Sequence, residues 1–156
     1  MTREEFLQQA IAAAEASSKS SGLLVGVTVA QAAIESAWGN SELSRKANNY
    51  FGIKAHGKHT VLEMPTTEVI NGVAQKVTAR FASYRNMAEC FTCRDQLITN
   101  GAVYAEARTN ARDPELFVRD LAKHWATDPN YAEKILKIYR ENNLSNLDRG
   151  AEGAPS

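Results

Sequence analysis

The stretch Ala33-Ile34-Glu35-Ser36-Ala37-Trp38-Gly39, continued by Asn48-Asn49-Tyr50-Phe51-Gly52-Ile53-Lys54-Ala55 and then by Pro65-Thr66-Thr67-Glu68, decides how this chain is read. Upstream of its end, Val27, Ala30, Gln31, Ile34 and Trp38 form a continuous stripe. A helix is therefore predicted over Leu24 to Trp38, stopped by Gly39-Asn40. Nearly every residue in it is apolar or small, which predicts burial, and Glu35 is its one charge.

Downstream the pattern changes. From His59 to Ile70 the residues are Val, Thr and other strand formers, Asn71-Gly72 is a strong hairpin signal, and Val73 to Phe81 returns. A two-residue turn pairs Glu68 with Gln75, Thr66 with Val77, Met64 with Ala79 and Leu62 with Phe81, all on one face. That face is apolar at its base and polar towards its tip, so the base packs on the rest of the chain and Glu68 turns inward. Glu63 pairs with Arg80 on the other face as a surface ion pair of little energetic weight. Pro65 lacks an N–H and places its strand at an edge or a bulge.

The remainder reads as helix. Thr2 with Glu5 makes a capping box, and Phe6, Leu7, Ala10, Ile11 and Ala14 follow at helical spacing, up to a Ser/Lys/Gly stretch from Ser17 to Gly22. A short helical piece lies around Ser41 to Lys46. Asn86 with Glu89, Asp113 before Pro114 and Asp128 before Pro129 open helices over Met87 to Thr99, Pro114 to His124 and Pro129 to Asn142, with a weaker piece near Val103 to Ala107. The fold class is α+β and mainly helical, a helical body with a small β-hairpin lobe. One domain is expected over residues 1–147, followed by a flexible tail over 148–156, which offers no apolar anchor.

Bulk properties narrow the function. The chain has 156 residues, enough for one domain with a real core, and Lys plus Arg equal Asp plus Glu at 18 each. No net field draws it to nucleic acid or to an anionic membrane. The start Met1-Thr2-Arg3-Glu4-Glu5 is acidic where a secretory signal is basic, and no apolar run approaches the roughly 18 residues of a membrane span. The expectation is a monomer made in the cytoplasm without a signal peptide.

Cys90 and Cys93 are too few for a disulfide framework. Their spacing suits a redox motif only at a helix start after a buried strand, which is not their setting. His56 and His59 match that spacing, and the four side chains could form a tetrahedral zinc site. Half-buried helical thiols and solvated loop histidines are the simpler account, and no metal or cofactor is expected. His124, near a helix C-terminus, is placed where the dipole favours it.

Glu35 carries the chemical argument. A carboxylate on an apolar helix loses hydration when ionised, and the negative end of the helix dipole opposes its charge. Both effects raise its pKa, and a neighbouring aromatic such as Trp38 adds to them. A carboxylic acid protonated near neutral pH can donate to a leaving oxygen, and a second carboxylate across a cleft is what acid-assisted glycosidic cleavage uses. A structural Glu bonded across a helix contact, or one facing solvent, also fits these residues.

Four blocks, Ala30-Gln31-Ala32-Ala33-Ile34-Glu35-Ser36-Ala37-Trp38-Gly39, Asn48 to Ala55, Thr66-Thr67-Glu68 and Asp128-Pro129-Asn130-Tyr131-Ala132-Glu133-Lys134-Ile135, occur in that order. Together they resemble the glucosaminidase domain of glycoside hydrolase family 73. The resemblance implies a lysozyme-like α+β fold and hydrolysis of the β-1,4 bond between N-acetylglucosamine and N-acetylmuramic acid in peptidoglycan, whose glycan strands are the expected partner. It implies Glu35 as general acid and Glu68 as the second carboxylate, acting as base for a water unless the substrate's acetamido group assists. It also implies that Tyr131 lies near the reacting sugar, that Trp38 and Phe51 shape the cleft, and that Asn49 and Lys54 hold the turn lining it. The chain as written lacks the export signal and wall-binding repeats of wall-active members, which suggests a phage or prophage lysin acting on the wall or periplasm after release. A non-catalytic glycan-binding or tail or secretion-apparatus module, and a lytic transglycosylase needing one acid, are the alternatives.

Overall fold

The structure, a computed structural model, describes residues 1–149. Helix α1 (Arg3–Ser21) opens on the predicted capping box, with Thr2 Oγ1 accepting from Glu5 N and Thr2 N donating to Glu5 Oε1. Helix α2 (Val25–Ser36) runs through the core, with Val27, Val29, Ala30 and Ala32 fully buried. It ends two residues earlier than its apolar stripe predicts. Ala37, Trp38 and Gly39 all take left-handed φ, and Ser36 Oγ accepts from Gly39 N at 2.9 Å, so local polar bonding outweighs periodicity. Trp38 thereby leaves the stripe.

Helix α3 (Glu42–Ala47) follows, capped by Ser41. Strands β1 (Thr60–Ile70) and β2 (Val73–Ser83) form the hairpin in the predicted register, Glu68 opposite Gln75 and Leu62 opposite Phe81. Asn71 and Gly72 both have positive φ, as a two-residue turn of the type matching strand twist requires. Leu62, Met64 and Thr66 are half-buried and Glu68 to Val73 exposed, so burial fades from base to tip. Pro65 lies in β1, the free edge. Glu63 and Arg80 are register partners on the exposed face.

Ile53 to Ala55 add a short third run along β2, with Lys54 bridging Phe81, Ala55 N donating to Arg80 O and Ala82 N to Ile53 O. This anchors the lobe and also reveals its shape. Lys54 lies level with Phe81 and Glu68 level with Gln75, six residues along the strand, which is about 20 Å if the sheet is flat. Lys54 Nζ nevertheless reaches Glu68 Oε1 at 3.0 Å. The hairpin must coil strongly back towards its base.

Helices α4 (Met87–Asn100), α5 (Ala105–Thr109), α6 (Pro114–Trp125) and α7 (Tyr131–Glu141) complete the body, with 3-10 turns at Ala102–Tyr104 and Leu144–Leu147. Asn86 and Asp113 cap α4 and α6 as expected. Asp128 instead accepts from Asn130 N, forming a turn that delays α7 to Tyr131. Helix α2 packs against α1 and α7, and α4 packs on α1.

The apolar start of α2 has no cap of its own. Asp148 supplies one across the fold, its Oδ1 accepting from Gly26 N at 3.0 Å while Oδ2 accepts from the Tyr139 hydroxyl at 2.9 Å. Burial pushes its carboxyl up, and backbone N–H groups of Gly26, Val27 and Val25 oppose that. Asp148 therefore belongs to the helical body, whereas the sequence reading starts the tail there. A polar anchor replaces the missing apolar one. Residues 150–156 of that expected tail lie outside the described residues.

Candidate active site

Glu35 sits one residue before the end of α2 and is half-buried. Burial raises its carboxyl above the ordinary 4.5, and the neighbouring Tyr131 hydroxyl works in the other direction. Tyr131, the first residue of α7, is itself buried, and the desolvation of its ring and hydroxyl raises its pKa, with Glu35 adding to the shift. Helix α7 thus brings one expected site residue directly to the other. The Glu35 carboxyl therefore holds its proton more firmly than an exposed glutamate does, beside a hydroxyl that favours the charged form.

The loop after α3 forms the other wall. Asn49 is buried and uses its whole amide, Nδ2 donating to Ile53 O and Ala82 O and Oδ1 accepting from Phe51 N and Ile53 N. It folds the 49–53 turn and ties it to β2. Phe51 lies edge-on to Phe91, with ring centroids 4.8 Å apart, and its carbonyl accepts from Trp125 Nε1 at 3.3 Å. Phe51 is fully buried, so it supports the wall from behind.

Gly52, the next residue, has φ +68, and a methyl group there would lie 3.3 Å from Glu35 Oε2. Gly52→Ala is expected to lower turnover by roughly 10- to 100-fold, because small misplacements of a reacting group are costly. Gly57→Ala is the control: its φ is +60 with nothing within 4 Å, so it carries the backbone strain without touching Glu35. Equal activity losses in the two would show that crowding of Glu35 is not the cause.

Glu68 has a different setting. It is exposed on β1 and paired with Lys54, which is also exposed and whose Nζ lies 5.6 Å from the Phe81 ring centroid. An exposed ion pair of this kind contributes little stability. Trp38 packs its ring edge-on against Phe6 with centroids 5.8 Å apart, and Arg3 stacks over it at 4.4 Å. That contact fastens the end of α2 to α1.

Three residues that sequence reading left out of the site underlie it. Gln31 Nε2 donates to the Tyr131 hydroxyl at 3.1 Å, and Arg94 Nε donates to Gln31 Oε1 at 3.0 Å. Arg94 is fully buried, and its neighbour Asp95 pairs with it at 2.8 Å. Trp125 holds the Phe51 carbonyl. Gln31 did leave a signal, being the one amide in an apolar stripe, one turn before Glu35.

The cysteines and histidines lie elsewhere. Cys90 is buried under Tyr50 N, with its thiol pushed up to about 12 by burial, and Cys93 accepts from the Tyr84 hydroxyl. His59 approaches Cys93 with Nε2 3.7 Å from Sγ, and its Nδ1 accepts from His56 N. Among the described residues no group of three such side chains converges as a metal site would require. His124 lies in the last turn of α6, where its carbonyl accepts from the Tyr104 hydroxyl.

Comparison with known proteins agrees with this geometry. The sequence model of the glucosaminidase family, described as mannosyl-glycoprotein endo-beta-N-acetylglucosaminidase, matches residues 11–144. The exo-glucosaminidase LytG of Bacillus subtilis is 34% identical over 131 residues, covering 81% of this chain and 46% of its own length. The peptidoglycan hydrolase FlgJ of Salmonella typhimurium is 35% identical over 144 residues, covering 88% of this chain and 46% of its own. This chain thus spans about half the length of these curated relatives. The catalytic domain of the autolysin Auto from Listeria monocytogenes superposes with a TM-score of 0.85 at 30% identity, over 94% of this chain and 87% of that one. The lysozyme-like α+β architecture is the one observed.

Proposed function

Because this chain belongs to the glucosaminidase family, we propose that it hydrolyses the β-1,4 bond between N-acetylglucosamine and N-acetylmuramic acid in peptidoglycan, with Glu35 as general acid. The observation that carries this is a half-buried carboxyl with a raised pKa, closing an apolar helix and held by Tyr131. Protonated Glu35 donates to the glycosidic oxygen as the bond breaks. The carboxylate left behind is held by Tyr131, and water completes the hydrolysis. Action as a monomer belongs to the same reading. The even balance of charge favours a glycan over nucleic acid, and no helix among the described residues is long and apolar enough to cross a membrane.

Glu68 is the base in this reading, freed from Lys54 when the hairpin moves. Glu68→Gln is expected to lower turnover by less than Glu35→Gln does, with stability changed by no more than about 1 kcal/mol, since it breaks an exposed pair. Unchanged turnover would remove Glu68 from the chemistry and leave the substrate's acetamido group as the assisting nucleophile. The engagement of Glu68 by Lys54 also favours a second reading that needs one acid, a lytic transglycosylase.

Digestion of purified peptidoglycan, followed by borohydride reduction and mass spectrometry, separates these readings. Reduced N-acetylglucosamine ends support the glucosaminidase. Reduced muramic ends mean a muramidase, anhydro-muramic ends a transglycosylase, and no fragments a glycan-binding module.

A further inference from the structure

We propose that Gln31, oriented by the buried Arg94, is a positioning residue that fixes the direction of the Tyr131 hydroxyl, so that its single proton points at Glu35. The inference rests on the reading of Glu35 as the acid only for its consequence in activity. The geometry stands without it.

The argument is one of donors and acceptors. An arginine only donates, so the Gln31 atom facing Arg94 Nε at 3.0 Å must be the amide oxygen. The amide of Gln31 therefore cannot be turned round, and its NH2 group faces the Tyr131 oxygen at 3.1 Å. Tyr131 accepts there, so its one proton is turned away from Gln31, and the Glu35 carboxyl is the acidic neighbour left to receive it.

Arg94 is in turn locked. Nη1 donates to Thr28 Oγ1 and to Asp95 Oδ1, each at 2.8 Å, while Asp95 Oδ2 accepts from Ser21 Oγ at 2.7 Å. Its guanidinium also lies over the Phe51 ring at 5.6 Å. Arg94 Nη2 is buried with no partner among the described residues. A buried guanidinium with one orphaned nitrogen is a costly way to pin an amide. That cost is consistent with a role beyond packing.

The charged and titratable groups around this chain of bonds come from each neighbouring element. Helix α4 gives Arg94 and Asp95, and the turn before α5 gives Tyr104, whose hydroxyl Arg94 influences. Asp148, after α7, is committed to Gly26 N and Tyr139, and Lys54 and Glu68 are paired with each other, and none of the three acts on Glu35 or Tyr131. Helix α1 offers apolar side chains such as Phe6, Ala10 and Ala14. Burial is the larger influence on how firmly Glu35 holds its proton, and the Tyr131 hydroxyl is the neighbour that opposes it.

The test is Gln31→Glu, made in the wild type and in Tyr131→Phe, with the Glu35 carboxyl titrated by carbon-detected NMR and the pH profile of kcat/KM recorded beside it. Gln31→Glu keeps an acceptor for Arg94 and replaces the donor facing Tyr131 by a second acceptor, which turns the hydroxyl away from Glu35. Tyr131→Phe alone is expected to raise the Glu35 midpoint by about one pH unit, the worth of a hydrogen bond to a charged group. Gln31→Glu is expected to raise it more with Tyr131 present than in the Tyr131→Phe background, where only the added charge acts.

Equal rises in the two backgrounds, or no rise, would overturn the proposal. If Gln31→Glu does not fold, Gln31→Met is read in the same way, with a smaller rise expected that again requires Tyr131. If the Glu35 midpoint moves as expected while the alkaline limb of kcat/KM stays in place, the positioning role stands and Glu35 is not the acid.

Discussion

Glu35→Gln is expected to lower turnover on peptidoglycan by roughly 10²- to 10⁴-fold, the range spanned by loss of a positioned acid, while the fold remains intact. The amide has the size of the acid and can still meet Tyr131, but it has no proton to give to a leaving oxygen. Stability is expected to change in the opposite sense. Burial raises the Glu35 pKa above 4.5, so the folded state binds that proton more tightly than the unfolded chain. The linkage has a definite sign: wild-type stability is fully present below the ordinary carboxylate range and falls as pH rises through the raised value. A glutamine carries no such penalty. Urea unfolding at about pH 4 and about pH 8 should therefore show Glu35→Gln gaining on the wild type as pH rises, as when a function-bearing group is held at a cost to stability. Wild-type turnover in the well-folded variant would rule Glu35 out as the acid.

Arg94→Ala is expected to be the most damaging single change to stability, by about 3–5 kcal/mol, because it leaves a buried partner charge uncompensated. Asp95 would lose its ion pair in a site where it is 3% exposed, and Gln31 and Thr28 would each lose a donor. The void beneath Phe51 would add to the loss. The urea midpoint should fall sharply with little change in slope. Arg94→Met combined with Asp95→Asn should recover much of that stability, since a neutral, filled site avoids the desolvation of both charges. It would still leave the amide of Gln31 unpinned. A recovery of stability without recovery of turnover would separate the two roles of Arg94.

Much of the molecule was legible in its sequence because the deciding information was local. Periodicity, caps and the Asn71-Gly72 turn act within a few residues, so the hairpin register and the capping of α1, α4 and α6 are observed as predicted. Glu35 stood out for the same reason, as a lone charge on an apolar helix. Where the reading differed from the structure, a competing polar contact decided. Ser36 and three left-handed residues end α2 early, Asp128 makes a turn that delays α7, and Asp148 caps α2.

The sequence by itself determined a helical body with one hairpin, a protonatable acid at the end of a buried helix and a second carboxylate near a hairpin tip. Only the tertiary structure decided what surrounds that acid. Tyr131 is separated from Gln31 by 100 positions and Arg94 from Gln31 by 63, so neither contact leaves a trace in spacing or pattern. The coiling that brings Glu68 to Lys54 is likewise a property of twist accumulated along two paired strands. Propensity and capping energies act over one turn of chain, whereas the direction of a buried proton depends on which side chains the packed helices bring together.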